Sequence, residues 1–159
     1  MAHARNSRQN RDGSRFLALP HVVMESEAFK TLTGHQLKLL IDLAMQLKVG
    51  GANNGRLSAS WRYLSEERCW TSKNTIRRSL TVLEDRKLIF CTRKGRMPNV
   101  AAWYAVTWLP LHHDLQMDVG PQSLPRGEYA WWVPNKNASL CPKTVLTDRP
   151  IGPKTVLTT

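Results

Sequence analysis

Between positions 72 and 78 the chain carries a run of hydrogen-bonding and cationic side chains. They are Ser72, Lys73, Asn74, Thr75, Arg77 and Arg78. Asn and Arg can pair with base edges, and hydroxyl, ammonium and guanidinium groups bind phosphate oxygens. Further cations stand at Arg93, Lys94 and Arg96, and others near the start at Arg5, Arg8, Arg11 and Arg15. Side chains of these types predict a polyanionic partner.

The positive charge is concentrated in two segments. The 159 residues include 23 Lys and Arg against 12 Asp and Glu, which makes the net charge +11. Residues 1–15 carry a net +3 and residues 73–96 a net +6, so 39 residues hold +9 of the +11. This distribution is typical of proteins that bind polyanions. The alternative interpretation is a solvated basic surface that contributes only to solubility.

Three segments that flank or contain these residues have helical patterns. Residues 33–48 begin with Thr33-Gly34-His35-Gln36, which has the T-x-x-Q form of a capping box. An apolar stripe follows, made of Leu37, Leu40, Ile41, Ala44 and Leu47. Ser58 is predicted to cap a second helix over residues 59–68. Thr71 or Ser72 is predicted to cap a third helix over residues 73–87.

After residue 87 the apolar period changes from about 3.6 to 2, which indicates strands. The segment 88–92 is one predicted strand and 100–108 is the other. The turn between them contains Arg93, Lys94 and Arg96, so the pattern predicts a β-hairpin with a basic tip. The residues predicted to be mostly buried are Leu37, Leu40, Ile41, Ala44, Leu64, Ile76, Leu80, Leu83, Tyr104 and Val106.

The order of two helices, an Arg-rich helix and a basic hairpin resembles that of winged helix-turn-helix DNA-binding proteins. The run from Ser72 to Leu80, then Leu83 and Leu88-Ile89, is similar to their recognition helix and first wing strand. Lys87 stands where glycine is common in that family. The resemblance covers residues 33–108, and more loosely the chain from Phe16. The layout is also similar to that of small helix-turn-helix proteins of bacteriophages and mobile elements, and to the N-terminal domains of some replication initiators.

The resemblance implies an α+β fold, a winged helix-turn-helix with a three-helix core and a basic β-hairpin wing. The polar and proline-punctuated ends of the chain predict flexible N- and C-terminal tails. The third helix would enter the major groove of double-stranded DNA, and the wing and the N-terminal arm would bind flanking phosphates or the minor groove. The expected function is sequence-specific DNA binding in the cytoplasm, as a transcription regulator or replication-origin binder of a phage or mobile element. The expected partners are double-stranded DNA and, as open alternatives, a second copy of the chain or another protein.

Four segments are predicted along the chain. They are a basic flexible arm at 1–15, the winged domain at 16–110, an irregular extension packing on it at 111–137, and a flexible tail at 138–159. The tail repeats Pro-Lys-Thr-Val-Leu-Thr at 142–147 and 153–158. An alternative function is a winged-helix protein-interaction module that inhibits or recruits a host nucleoprotein complex, through the extension or the tail. RNA binding is a third alternative.

Catalysis finds little support in the sequence, and we expect no enzyme activity, cofactor or metal. His112-His113-Asp114 is the one His/Asp cluster, and neighbours in an irregular segment do not by themselves form a metal site. The three cysteines, Cys69, Cys91 and Cys141, lack C-x-x-C spacing, which disfavours a disulfide framework. No apolar run reaches the ~18–20 residues of a membrane span.

Six tryptophans could stack on bases or fill the core. Trp61, Trp70, Trp103 and Trp108 lie in or beside periodic elements, so core packing is the favoured interpretation. Trp131 and Trp132 are predicted to pack on the wing sheet or to form a partner surface.

Overall fold

The computed structural model describes residues 16–96 and 100–134, and within these ranges the fold is α+β, as predicted. Its helices are α1 (His21–Glu25), α2 (Glu27–Lys30), α3 (Gly34–Ala44), α4 (Trp61–Glu66) and α5 (Lys73–Asp85). Its strands are β1 (Leu57–Ser58), β2 (Ile89–Arg93) and β3 (Trp103–Val106), and short 3-10 turns occupy Val49–Gly51 and Glu128–Trp131. The basic arm, the repeated segments and the last part of the predicted extension lie outside the described residues. In the described ranges, every helix is too short or too polar to span a membrane.

The three strands form an antiparallel sheet in the order β1–β3–β2. Ile89 pairs with Val106 and Phe90 with Ala105, as the alternating pattern predicts for a hairpin. The register shifts between Cys91 and Arg93, which is the position of a β-bulge. β1 pairs with β3 at its other edge, so the sheet joins the segment before α4 to the hairpin after α5.

The sequence did not predict β1, and the prediction that Ser58 caps a helix is wrong. Ser58 lies in β1, and its backbone N–H donates to Oε1 of Gln46 at 2.8 Å. The Gln46 Nε2 returns a hydrogen bond to the Ser58 carbonyl at 3.0 Å. The backbone of Ser58 is therefore satisfied by a strand and by an amide, and α4 begins at Trp61 after Ser60. β1 has only two residues, which are too few to show the alternating pattern by which a strand is predicted from sequence.

The buried face of α3 includes Leu40 and Ala44 of the predicted stripe, but it is shifted away from Leu37. Leu39 and Leu43 are fully buried, whereas Leu37 remains 36% exposed. The helix also ends at Ala44 instead of residue 48. The apolar residues of α3 cover more than half of its circumference, so their spacing alone does not fix which side is inward. The predicted Gln36 contact is present, because its Oε1 accepts from the Thr33 N–H at 2.9 Å.

The remaining core predictions are largely confirmed. Leu80 and Ile41 are partly buried, and α3 packs along α5, whose inward positions are Ile76, Ser79 and Leu83. The predicted residues that are buried are Leu40, Ala44, Leu64, Ile76, Leu83, Tyr104 and Val106.

Both ends of α5 have well-defined caps. The predicted N-cap is confirmed, since the Ser72 side chain accepts from the Thr75 N–H at 3.3 Å. At the other end, Lys87 has a φ of +58°, the left-handed conformation that favours glycine. The Leu88 N–H bonds the Leu83 carbonyl at 3.1 Å, which completes a Schellman motif. α5 therefore ends at Asp85, two residues earlier than predicted.

The segment after β3 runs back along the sheet. The His112 N–H donates to the Asn54 carbonyl, and the Asp118 N–H donates to the Thr92 carbonyl, both at 2.9 Å. Met117 and Leu111 approach Gly55, where an added Cβ would lie 2.6 Å from Cε of Met117 and 2.8 Å from Cδ1 of Leu111. Gly55 also has a φ of +118°, so backbone conformation and space both favour glycine at this position.

Candidate nucleic-acid interface

The first two turns of α5 carry the residues that were predicted to recognise nucleic acid. Ile76, Ser79 and Leu83 point into the core, so the opposite side of the helix faces outward. The side chains exposed on that side are Lys73, Asn74, Arg77, Arg78 and Thr81. Ser72 and Thr75 are half-buried, and the Ser72 hydroxyl is used as the helix cap. The helical period therefore gathers the polar and cationic positions on one surface, which we call the α5 face.

The two arginines of the α5 face are not neutralised within the described part of the chain. Neither Arg77 nor Arg78 forms an ion pair there, whereas other arginines do. The paired examples are Arg56 with Asp114, Arg62 with Glu66, Arg68 with Asp42, and Arg96 with Asp118. The face therefore offers guanidinium groups that an external anion can bind.

The acidic residues of α5 lie at its far end. Glu84 and Asp85 follow Arg78 by six and seven positions, which is about 10 Å along a helix axis. Glu84 is half-buried, and this burial raises the pKa of its carboxyl group. Asp85 accepts a hydrogen bond from Nε1 of Trp132 at 3.3 Å. These carboxylates therefore leave the charge at the start of α5 uncompensated.

The basic hairpin, meaning β2, β3 and the residues that join them, holds its three cations in different ways. The Arg93 guanidinium lies 3.4 Å from the Trp103 ring centroid and donates to the Ala101 carbonyl at 3.2 Å. Arg96 is exposed, with its Nη2 atom 3.7 Å from Oδ1 of Asp118. The Lys94 side chain is also exposed. Lys94 and Arg96 are therefore the hairpin cations most accessible to a partner, while Arg93 packs against the sheet.

A buried carboxylate positions the turn that precedes α5. The Asp42 side chain, in α3, accepts hydrogen bonds from Nε of Arg68, Nε1 of Trp70 and Nζ of Lys38 at 2.7, 2.7 and 2.8 Å. Burial raises the pKa of Asp42, but the three hydrogen bonds outweigh burial and hold that pKa below its ordinary value. We call these four residues the Asp42 cluster.

The backbone between α4 and α5 reinforces the Asp42 cluster. Cys69 has a φ of +56°, and the next N–H, that of Trp70, donates to the Leu64 carbonyl at 3.0 Å. The Lys38 ammonium lies 4.7 Å from the Trp70 ring centroid. The sequence does not predict this arrangement, because an Asp in the middle of an apolar helix is ordinarily interpreted as facing solvent. Its signal would have been the Arg68-Cys69-Trp70 run at the predicted turn.

A second buried polar side chain fixes β3. The Asn54 amide donates to the carbonyls of Val106, Leu109 and Pro110, and its Oδ1 accepts from the Val106 N–H at 2.8 Å. Asn54 is fully buried, although Asn-Asn-Gly is a sequence typical of an exposed turn. It ties the loop before β1 to the base of the hairpin.

The tryptophans are divided between the core and the surface. Trp70 and Trp108 are buried, and Trp61 and Trp103 are half-buried. The Trp61 ring centroid lies 5.2 Å from Nζ of Lys73, at the start of α5. Trp132 lies against Asp85 and the Arg86 guanidinium, so it contacts the end of α5.

The His112-His113-Asp114 cluster is engaged within the structure. Asp114 pairs with Arg56, and Nε2 of His113 lies 3.1 Å from the Val119 carbonyl. Over residues 16–96 and 100–134, no group of three or more His, Cys, Asp and Glu side chains could hold a metal ion. The arm residues Arg5, Arg8, Arg11 and Arg15 lie outside the described residues.

Comparisons with models of protein families, with curated proteins and with solved structures found no match to this chain. Its functional interpretation therefore depends on the chemistry and placement of its own residues.

Proposed function

We propose that this chain is a sequence-specific double-stranded DNA-binding protein of the winged helix-turn-helix type, with α5 as its recognition helix. The observation that carries the proposal is the α5 face, where Lys73, Asn74, Arg77 and Arg78 are exposed together and neither arginine forms an ion pair with another described residue. A cationic, hydrogen-bonding helix surface of this kind matches the phosphates and base edges of a major groove.

The order of elements supports the same proposal. α3, β1, α4 and α5 are followed by the hairpin, and β1 completes the hairpin sheet. This is the arrangement expected of a helix-turn-helix whose wing is the basic hairpin. α5 has 13 residues and is therefore about 20 Å long, which suits a groove about 12 Å wide.

Within this proposal the residues have separate roles. Asn74 and Arg77 contact base edges, Asn being suited to adenine and Arg to guanine. Because the Ser72 hydroxyl caps the helix, phosphate binding at the helix start falls to the backbone N–H groups of Lys73 and Asn74, which have no acceptor within the helix. Lys94 and Arg96 contact flanking phosphates, and the N-terminal arm adds further phosphate or minor-groove contacts.

The resemblance to phage and mobile-element proteins extends the proposal to a biological role. The chain would regulate transcription or mark a replication origin of such an element, in the cytoplasm and without enzymatic activity of its own.

Selection of binding sites from random double-stranded DNA, followed by titration with the selected duplex, tests the proposal. We expect an enriched motif, and Arg77→Ala should weaken binding by about 1–3 kcal/mol at one position of it. Arg126→Ala is the matched control, because it removes an exposed arginine from the segment after β3. The absence of an enriched motif, or wild-type DNA binding by Arg77→Ala, would contradict the proposal.

A second candidate function is protein binding through an apolar surface. Trp131 and Val133 are 85% and 74% exposed, and the 3-10 turn that contains Trp131 contacts α1, where Val22 is also exposed. Exposed aromatic side chains are frequent anchors of protein interfaces. Protein binding is the better supported function if substitutions on the α5 face leave DNA binding unchanged while Trp131→Ser abolishes capture of a protein partner.

A further inference from the structure

Asp118, an acidic residue of the segment after β3, lies against the basic hairpin. The Asp118 Oδ2 atom accepts a hydrogen bond from the Lys94 N–H at 2.8 Å, and Oδ1 lies 3.7 Å from Nη2 of Arg96. The Asp118 N–H in turn donates to the Thr92 carbonyl at 2.9 Å. The backbone of β2 therefore anchors Asp118, and its carboxylate is held between a backbone donor and a guanidinium.

These two donors are the kind that bind a phosphate group. A backbone N–H beside an arginine forms an anion-binding position, and a carboxylate oxygen and a phosphodiester oxygen compete for the same hydrogen bonds. The position is open to solvent, since Arg96 is 73% exposed and Asp118 37% exposed at their side chains. A cavity of about 540 Å³, lined by Cys91, Lys94, Arg96 and Asp118 among others, leaves room for a larger anion.

We propose that Asp118 is an internal competitor for the phosphate-binding position of the basic hairpin. It neutralises Arg96 until a DNA phosphate replaces it, and thereby weakens the part of the affinity that does not depend on base sequence. This inference rests on the DNA-binding function proposed above. In it, Asp118 controls how strongly the hairpin contributes to the affinity for DNA.

The direct test is Asp118→Asn, measured by titration with the selected duplex and with a scrambled duplex at several salt concentrations. The Asn side-chain oxygen still accepts from the Lys94 N–H, while the negative charge is lost. We expect about two- to fivefold tighter binding near 0.1 M salt, the size of an exposed ion pair. The plot of log affinity against log salt should steepen by up to about 0.9, the value for one full phosphate contact, because Arg96 then binds phosphate in every complex instead of pairing with Asp118 in some of them. Both effects should be equal on the two duplexes.

Two further variants separate this competition from a general gain of positive charge. Glu27→Gln makes the same change in net charge at an exposed pair with Lys30 on α2, and should leave affinity and slope close to wild type. In an Arg96→Ala background, Asp118→Asn should no longer tighten binding. An equal gain from Glu27→Gln, a gain that persists without Arg96, or wild-type affinity and slope in Asp118→Asn would each overturn the inference.

A measurement that leaves Asp118 intact covers the case in which Asp118→Asn fails to fold. Because Asp118 already pairs with Arg96, Arg96→Ala should weaken DNA binding less than Lys94→Ala, and the reverse order would overturn the inference. Arg77→Ala distinguishes failure of the Asp118 competition from failure of the DNA-binding function. If Arg77→Ala weakens binding while Asp118→Asn matches wild type, the competition fails and the DNA-binding function stands. If Arg77→Ala has no effect, both fail.

Discussion

The indole Nε1 of Trp70 donates a hydrogen bond to the Asp42 carboxylate at 2.7 Å, and this contact joins the middle of α3 to the residues just before α5. Arg68 and Lys38 complete the arrangement around the same carboxylate. The start of the helix that carries Asn74 and Arg77 is thus tied to α3 through a carboxylate that is itself buried.

Asp42→Ala is expected to lower the free energy of unfolding by about 3 kcal/mol, because it leaves a buried indole N–H and two cations without their acceptor. Urea denaturation measures this loss. Glu66→Ala, which breaks the exposed pair with Arg62, should cost less than about 1 kcal/mol. Equal losses in the two variants would mean that the Asp42 cluster contributes no more than a surface pair.

The Asp42 cluster should also make stability depend on pH. Since the folded state lowers the pKa of Asp42, the unfolded chain binds more protons between the two pKa values, and stability rises with pH in that window. The stabilisation is present above the ordinary Asp pKa of ~3.9 and is lost as pH falls through the lowered pKa. Urea titrations from pH 7 to pH 2 should therefore show the wild-type advantage over Asp42→Asn shrinking below about pH 4. An advantage that is constant across this range would contradict the assignment.

The orientation of α3 can be tested with two leucines on the same helix. Leu40→Ala removes a fully buried side chain and should cost about 2–5 kcal/mol of unfolding free energy. Leu37→Ala removes a side chain that is 36% exposed and should cost about 1 kcal/mol or less. Thermal or urea unfolding of the pair gives the comparison, and similar losses would show that Leu37 is buried as its sequence pattern predicts.

Lys87→Gly is expected to raise the free energy of unfolding by about 0.5–1 kcal/mol. The left-handed conformation costs a residue with a Cβ about 1–2 kcal/mol, and glycine removes this cost. Glycine also increases the conformational entropy of the unfolded chain, which offsets part of the gain in stability. Arg86→Gly, one position earlier, should instead destabilise, because the Arg86 Nη1 atom bonds Thr31 at 2.7 Å. A loss of stability in Lys87→Gly would argue against the left-handed helix end.

Asn74→Ala should relax base preference at one position of the selected site and weaken binding there by about 1–3 kcal/mol. With about four phosphate contacts in the wild type, log affinity against log salt should have a slope of roughly −3 to −5, and Asn74→Ala should leave that slope unchanged. Site selection repeated with the variant gives the first readout, and salt titration the second. A change in slope without a change in preference would assign Asn74 to the phosphates.

The elements that could be predicted from sequence are those whose signals are local. Ser72 caps α5 as its residue type predicts, and the period of Ile76, Leu80 and Leu83 places the arginines outside. The alternation after Leu88 predicts a β-hairpin, and β2 and β3 form one.

What sequence could not show depends on contacts between distant segments. β1 has two residues, and its partners are β3 and the side chain of Gln46. Asp42 and Asn54 are polar, yet both are buried. Their burial is possible because residues distant in the chain supply their hydrogen bonds. The cations of the hairpin look equivalent in sequence, and only the fold separates Arg93, stacked on Trp103, from Arg96, paired with Asp118.

The close approach of Met117 and Leu111 to Gly55 has an evolutionary consequence. Any residue with a Cβ at position 55 would need smaller side chains at both facing positions, besides a backbone conformation that disfavours it. Single substitutions at position 55 should therefore be eliminated, and homologues that replace this glycine should carry compensating changes at 111 and 117. Covariation among these three positions would identify homologues in which the segment after β3 still lies along the sheet.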